Sequence, residues 1–291
     1  MSFIRDEVTP VAVLVSWAVR ESLRRRVFAV VVVLTLAFGA LYTWGASELF
    51  KDVTGFGGGR FGLDPRTLAG ATLLGLAMFG TLFLGAVLAV FLTLSAVRGD
   101  AETGLLQPLI VRPLGRRQYL AGRFLAAAAV AFSYVGVVYT GAVVITGITG
   151  DWWPHSPVGA GLRLMLAVVV VAALSLLGSI FLTATANGIG VLMIFGAGLL
   201  AGLLGSIGDA LNSHTLQTLA STGSWVLPFE ALYRDALRQL VQDIPGVTGA
   251  IVQLGPLGGS HDAGPLLLPW IAVYLGLVAV LGAFAFGRRD L

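Results

Sequence analysis

The chain has no cysteine and only one lysine among its 291 residues. The missing thiols exclude thiol chemistry and leave the redox compartment unread. The lone lysine, Lys51, falls in a segment predicted to be external, so no GxxxxGK[ST] phosphate loop exists and the chain carries no ATP-binding engine of its own. HExxH is absent as well. Charge is scarce: 11% of residues are Asp, Glu, Lys or Arg, against roughly 25% in a soluble domain. With 57% hydrophobic residues and a mean hydropathy of +0.90, the chain reads as a membrane protein. Arginine outnumbers lysine 17 to 1, a bias that suggests a GC-rich bacterial genome more than any binding chemistry. The net charge of +3 follows from topology, and a nucleic-acid partner gains no support from it.

Six apolar runs are present, near 27 to 46, 70 to 97, 120 to 147, 164 to 185, 188 to 207 and 266 to 286. At 1.5 Å per residue each is about long enough to cross a hydrocarbon core of roughly 30 Å. Only Ala186 and Asn187 separate the fourth run from the fifth, and the sequence from Asn187 to Gly190 is turn material, which predicts a tight hairpin there. One continuous helix over 164 to 207 is the alternative, at about twice the length a span needs. None of the six interiors contains Asp, Glu, Lys, Arg or His. Arg123 and Arg163 sit at run ends, where they can snorkel. An ion-driven secondary transporter needs intramembrane ionisable groups or broken-helix ion sites, and the runs offer poor material for either.

Arginine sets the orientation. Arg5, Arg20, Arg24, Arg25 and Arg26 precede the first span, Arg98, Arg112, Arg116 and Arg117 follow the second, and Arg288 and Arg289 follow the sixth. Six spans put all three groups on one side, which the positive-inside rule makes cytoplasmic. The opposite side holds Lys51, Arg60, Arg66, Arg234 and Arg238, mixed with acids. The expected location is the bacterial cytoplasmic (inner) membrane, with both termini inside. The N-terminal arginine cluster follows the first apolar stretch and no small-residue cleavage site ends a hydrophobic core, so this segment is expected to be retained and not cleaved as a signal peptide. Thr9 and Pro10 predict an N-cap and first helical position, opening an interfacial helix within 1–26 that bends into the first span. A simple extension of that span is the other reading.

Residues 208–265 form a long external segment. Apolar residues recur from Phe229 to Ile244 with Glu230, Arg234, Asp235 and Arg238 between them, which predicts an amphipathic helix stopped by Pro245 and Gly246. It can pack over the bundle as a lid or re-entrant element, or lie on the leaflet; a polar face of mixed sign favours packing. The remainder of the segment, rich in Gly, Ser and Pro, reads as loop. The three histidines, His155, His214 and His261, fall in external segments with no paired spacing, so they read as solvated loop residues and no metal site is expected.

Residues 98–123 are a charged island between two apolar runs. Leu105, Leu106, Leu109 and Ile110 give a short helix one apolar face, Asp100 and Glu102 stand at its N-terminal end where the helix dipole favours acids, and Pro113 stops it. Arg112, Arg116 and Arg117 follow at the membrane surface. The island resembles the signature loop of ABC-2 type transporter permeases, roughly G-E-x-E-x-G-T, then P-V-S-R, then G-K at the start of the next span. The matching residues are Gly99, Asp100, Glu102, Gly104, Pro113, Arg116, Gly122 and Arg123. Leu105 stands where the family usually has Thr, and Arg123 where it usually has Lys. The resemblance covers essentially the whole chain, and the branch it looks most like is the one associated with multicopper-enzyme maturation.

The resemblance implies an all-α polytopic membrane protein with one permease domain over 1–291. Its parts are six transmembrane helices, the N-terminal interfacial helix (1–26), a short cytoplasmic coupling helix in the loop between spans 2 and 3 (98–119), and the external amphipathic helix between spans 5 and 6. It also implies a non-catalytic subunit that pairs with a second copy or a homologous permease and binds a separately encoded ABC ATPase. That partner would hold the ATP and Mg, and no cofactor is expected in this chain. Carried over, Asp100, Glu102, Gly104, Pro113 and Arg116 are the ATPase-coupling candidates. For the substrate path, Ser175, Ser179 and Thr183 form a hydroxyl stripe at i,i+4 spacing, and Phe79 and Phe83 share a helical face; such stripes are more often packing between helices, and such phenylalanines more often face lipid or core. Gly198 and Gly202 form a GxxxG that permits close helix contact and offers a dimer seam. The expected function is ATP-driven export of a hydrophobic or amphipathic compound. The alternative is a mechanotransmitter or membrane scaffold that moves no substrate and acts on a periplasmic or extracellular factor. An intramembrane lipid enzyme needs clustered acids, histidines or a nucleophile with its base, and no such cluster is visible in the sequence.

Overall fold

The computed structural model describes residues 26–55, 64–94, 116–241 and 264–288. Among these are eight α-helices and no strand. They are α1 (Arg26–Gly55), α2 (Pro65–Thr93), α3 (Arg116–Gly150), α4 (Pro157–Phe181), α5 (Ala184–Ala210), α6 (His214–Val226), α7 (Pro228–Val241) and α8 (Leu267–Gly287). Six of them, all but α6 and α7, are long and apolar enough to cross a membrane. The all-α, six-span expectation therefore holds, with ends shifted by local capping chemistry. The Asp64 carboxylate accepts from the backbone of Arg66 at 3.2 Å and from the Thr67 hydroxyl, and Pro65 occupies the first turn, so α2 starts ahead of its apolar run. Pro157 starts α4 early in the same way. Asp151, with φ 50°, ends α3 in the left-handed region that Asp tolerates.

The predicted interfacial helix and the short helix of the charged island lie outside the described residues. The fourth and fifth spans do form a hairpin, but the turn is at Leu182 and Thr183 and not at Asn187. Leu182 turns extended, with φ −105° and ψ 155°, and Thr183 takes the capping place before α5, its carbonyl accepting from Asn187 at 2.8 Å. Asn187 is buried inside α5 and its amide donates to the Ser175 carbonyl at 2.9 Å. The side-chain amide that favours turns is spent on stitching the hairpin.

α4 is the centre of the bundle, in contact with α2, α3, α5, α7 and α8. The most apolar windows of α2 and α4 are each 67% buried, that of α1 only 11%. α1 is tied to α3 by two hydroxyl pairs, Thr35 with Tyr134 and Tyr42 with Thr146, and the Tyr139 hydroxyl donates to the Pro157 carbonyl at 2.9 Å. These bonds satisfy polar groups that a low-dielectric interior would otherwise penalise. The largest correction concerns residues 214–226, read as loop from their Ser, Thr and Gly content, which form α6. The Thr218, Ser221, Thr222 and Ser224 hydroxyls all donate to carbonyls three or four residues back, so the side chains that usually compete with a helix are folded onto this one.

Candidate functional site

α7 is the predicted amphipathic helix. It begins at Pro228, directly after a corner in which the Leu227 amide donates to the Gly223 carbonyl at 2.8 Å. The corner turns the chain back into the bundle, and α7 packs against α2, α4, α5, α6 and α8. Of the two expected placements the structure has the packed one, with a departure: no face of the helix is left to solvent. Phe229, Leu232, Tyr233 and Leu237 join the main core, while Glu230, Arg234 and Asp235 are 2%, 8% and 4% exposed.

Glycines on α5 make room for it. A β-carbon added at Gly198 would stand 2.5 Å from the Phe229 ring, one at Gly202 would strike the Glu230 carboxylate, and one at Gly205 would lie 3.2 Å from Arg234 Nη1. The GxxxG face read as a possible dimer seam is thus covered by α7 of the same chain. Close helix approach is what the motif supplies, and the helix that approaches lies within this chain.

The buried charges are paired. Arg163 of α4, expected to snorkel from a span end, turns inward to Asp235 and also donates to the Gly159 carbonyl at 3.2 Å. Arg238 reaches the other oxygen of Asp235 at 3.3 Å. One acid therefore faces two guanidinium groups, a geometry that offsets the cost of removing it from water. Glu230 is less well served. Arg234 Nε lies 3.6 Å from its Oε1, and neither carboxylate oxygen has a hydrogen-bond partner. Burial pushes this carboxyl up to about 7, against the pull of the Arg234 charge. The Tyr233 hydroxyl is also buried without a partner, and burial lifts its phenol above the ordinary tyrosine range.

Glu230 and Arg234 face a cavity of about 480 Å³ between α6, α7 and α8, with Gly205 of α5 in its wall. Its other walls carry Thr218, Ser221 and Ser224 from α6 and the edge-to-face ring pair of Trp225 and Trp270, whose centroids are 5.4 Å apart. A second crevice, about 340 Å³ and almost wholly apolar, lies between α3, α4 and the other end of α8, with Arg117 in its lining.

The residues expected from sequence fall in several places. Phe79 and Phe83 on α2 flank the α7 site: Phe79 meets the Tyr233 ring edge-on at 6.4 Å, and Phe83 tilts toward Phe195 at 6.5 Å. Phe195 in turn stacks on Phe229 at 5.4 Å. Ser175 and Ser179 are buried near the far end of α4, where the Ser179 hydroxyl donates to the Leu176 carbonyl at 2.7 Å and the Ser175 hydroxyl has no partner. Thr183 lies beyond the end of α4 and is exposed, so the hydroxyl stripe stops at two residues. Asp100, Glu102, Gly104 and Pro113 lie outside the described residues, and Arg116 is the first residue of α3. Arg123, placed by the loop pattern at a span start, lies two turns into α3 and is buried, its Nε donating to the Tyr119 hydroxyl at 3.2 Å.

The charged interior escaped sequence reasoning because the six apolar runs carry ionisable residues only near their ends, as at Arg123 and Arg163. A helix between the spans delivers the charge instead. The available signal was the spacing of Gly198, Gly202 and Gly205 on α5 taken together with a mixed-sign helix too polar to float on a leaflet. The sequence from residue 13 to residue 291 is similar to a family described as ABC-2 family transporter protein. No curated protein matches it.

Proposed function

The chain belongs to the ABC-2 family of transporter proteins, a multi-pass membrane protein by its six apolar helices, and from that premise we propose that it is the permease subunit of an ATP-driven exporter. In this reading a separately encoded ABC ATPase binds and hydrolyses ATP with Mg, and two permease subunits assemble in the cytoplasmic membrane with their termini inside. The cargo is a hydrophobic or amphipathic compound moved outward. The family match over 13–291 carries the reading, because it runs through the island at 98–119. Two further features support it: the chain has no phosphate loop of its own, and its six apolar runs hold no acid or histidine, with Arg123 and Arg163 near their ends, poor material for an ion-driven carrier.

Asp100, Glu102, Gly104, Pro113 and Arg116 form the coupling element in this proposal. If the helix expected from the sequence forms there, its two leading acids, proline stop and following arginines would offer a charged knob between the second and third spans. Rearrangement of the ATPase would be passed through it to α2 and α3. The mechanotransmitter alternative draws support from α7, an inter-span helix joined to α4 by the ion pair of Asp235 with Arg163, which provides a stiff strut between the outer segment and the bundle.

The test is ATP hydrolysis by the complex purified from native membranes with its co-purifying ATPase. The double variant Asp100→Ala, Glu102→Ala is expected to lower substrate-stimulated hydrolysis roughly tenfold, within the range of ordinary coupling energies. Equal stimulation in wild type and variant would refute the coupling assignment. An ATPase that co-purifies but responds to no amphiphile, only to an external protein, would favour mechanotransmission.

A further inference from the structure

The crevice between α3, α4 and α8 has a buried floor of Leu120, Leu176 and Ile180 and an exposed rim that includes Ala121 and Ala279. A β-carbon added at Gly282 would stand 3.3 Å from a Leu120 methyl, so α8 approaches α3 closely at the floor. The walls run from Arg117 to Leu125 on α3 and from Leu275 to Ala283 on α8, about 12 Å at 1.5 Å per residue. One leaflet of a hydrocarbon core is about 15 Å deep. Arg117 is the one polar residue in the lining. It is exposed and stands where α3 begins.

Charge at that end of the bundle has one sign among the described residues. Arg123 lies beside Tyr119, whose ring centroid is 6.4 Å from that of Phe286 near the end of α8, and Arg288 covers the Phe284 ring at 4.0 Å. Every acid among the described residues belongs to the opposite end. Glu48 and Asp52 close α1, Asp64 precedes α2, Asp151 follows α3, Asp209 closes α5, and Glu230 and Asp235 are on α7.

We propose that this crevice seats one acyl chain of an anionic phospholipid of the surrounding bilayer, with its phosphate on the Arg117 guanidinium. Apolar walls of nearly leaflet depth match the chain, and the planar fork of a guanidinium matches a phosphate. Exposed Leu277, Val280 and Leu281 on α8 carry the apolar surface on from the crevice into the lipid-facing side of the helix. A choline head would bring a fixed positive charge up to Arg117 and Arg288; a glycerol head keeps the net negative charge that these arginines attract. A second copy of the chain fits less well. A two-fold axis places the same patch on both partners, so Arg117 and Arg288 of each would face their like at one depth, with no described acid to offset them. The site needs the bilayer and not the ATPase, so it holds whether or not the island at 98–119 docks one.

Native mass spectrometry of the purified full chain, with any co-purified ATPase retained, tests the site with phosphatidylglycerol and phosphatidylcholine of matched acyl chains. Wild type is expected to retain phosphatidylglycerol at least about fivefold better, the gain from roughly one arginine at a charged headgroup. R117Q is expected to lose that preference while retaining phosphatidylcholine as wild type does. A279F fills the crevice from its exposed rim and is expected to lower retention of both lipids about tenfold, as for a lost contact of modest size. A121F does the same from the α3 wall and takes its place if A279F fails to fold. Equal retention of the two lipids by wild type overturns the proposal, as does an undiminished preference in R117Q or undiminished retention in a folded rim variant. The chain has no cysteine, so A279C carries a single thiol. A disulfide-linked dimer formed through it in native membranes would assign the crevice to a second copy and overturn the lipid reading, whereas a chain that stays monomeric under oxidant agrees with it.

Discussion

α7 and α1 occupy opposite places to those a soluble protein would give them. α7 carries Glu230, Arg234, Asp235 and Arg238 in fourteen residues and is buried from Phe229 to Leu237. The apolar window of α1 is 11% buried, with Val33, Leu36, Leu41 and Trp44 exposed. In water the hydrophobic effect would drive α1 inward and α7 out. In a bilayer, lipid solvates α1 at no cost, and charges are retained only where they pair with one another inside protein. The difference teaches that apolarity alone does not decide burial in this chain, since the still more apolar α2 and α4 are buried where α1 is not. α7 enters the interior with its apolar residues in the core and its charges set against glycine gaps and an ion pair.

Four substitutions would break or sharpen that contrast. The largest effect is expected from Gly198→Val, which drives a branched side chain into the fully buried Phe229. Overpacking of this kind costs about 3 kcal/mol and is read as loss of monodisperse protein or a depressed Tm. On α1, Gly45→Val meets open space and is expected to leave Tm unchanged. Next, Arg163→Ala strips the buried Asp235 of one of its two guanidinium partners, at about 3 kcal/mol or less, since Arg163 is itself part-exposed. Lys51→Ala breaks the open pair with Glu48, whose side chains are 70% and 59% exposed, and is expected to cost less than about 0.5 kcal/mol.

A pH effect comes third. The folded Glu230 carboxyl sits at about 7 against an ordinary 4.5, so the native state keeps a proton that the unfolded chain releases. The associated stability is fully present below about 4.5 and is lost as pH rises through about 7. The loss amounts to at most about 3 kcal/mol. Thermal melts from pH 4.5 to 8 should show it, and E230Q, which cannot ionise, should flatten the slope. A slope unchanged in E230Q would place the titrating group elsewhere. Apart from the Gly45→Val and Lys51→Ala controls, the smallest effect is expected from Thr183→Ala at the α4–α5 turn, whose hydroxyl accepts only a long 3.5 Å contact from the Ala186 amide; a cap this weak is worth about 0.5 kcal/mol.

The spans were legible because a bilayer requires long runs with no charge, a constraint few other structures impose. Their ends were less so, since the Asp64 capping bonds and the fixed backbone angle of Pro157 in the first turn of α4 start helices in ways that hydropathy does not register. α6 was illegible for a specific reason: Thr218, Ser221, Thr222 and Ser224 are residues that ordinarily favour turns, and only the structure shows their hydroxyls bonded back to the helix. The α7 helix itself was readable from its periodicity. Its burial was not, because the same alternation of Leu and Arg suits a leaflet surface, and the deciding contacts lie on α5 some thirty residues earlier. Phe79 and Phe83 were picked as a shared face and do lie together, beside Tyr233 and Phe195, whereas the run from Ser175 to Thr183 assumed a helix that stops at Phe181.

The pair between Arg163 and Asp235 joins residues 72 positions apart, and that separation has a consequence for biogenesis. At roughly 5 to 20 residues per second, a ribosome delivers Arg163 some 4 to 14 s before its acid. During that interval α4 and α5 have both emerged, and the arginine must wait at the membrane surface with its guanidinium in water. α7 then has to enter a slot already built by the glycines of α5, and α8 arrives after it. Assembly is therefore sequential, and α8, synthesised after α7, closes the wall of a chamber whose charged floor was laid before it.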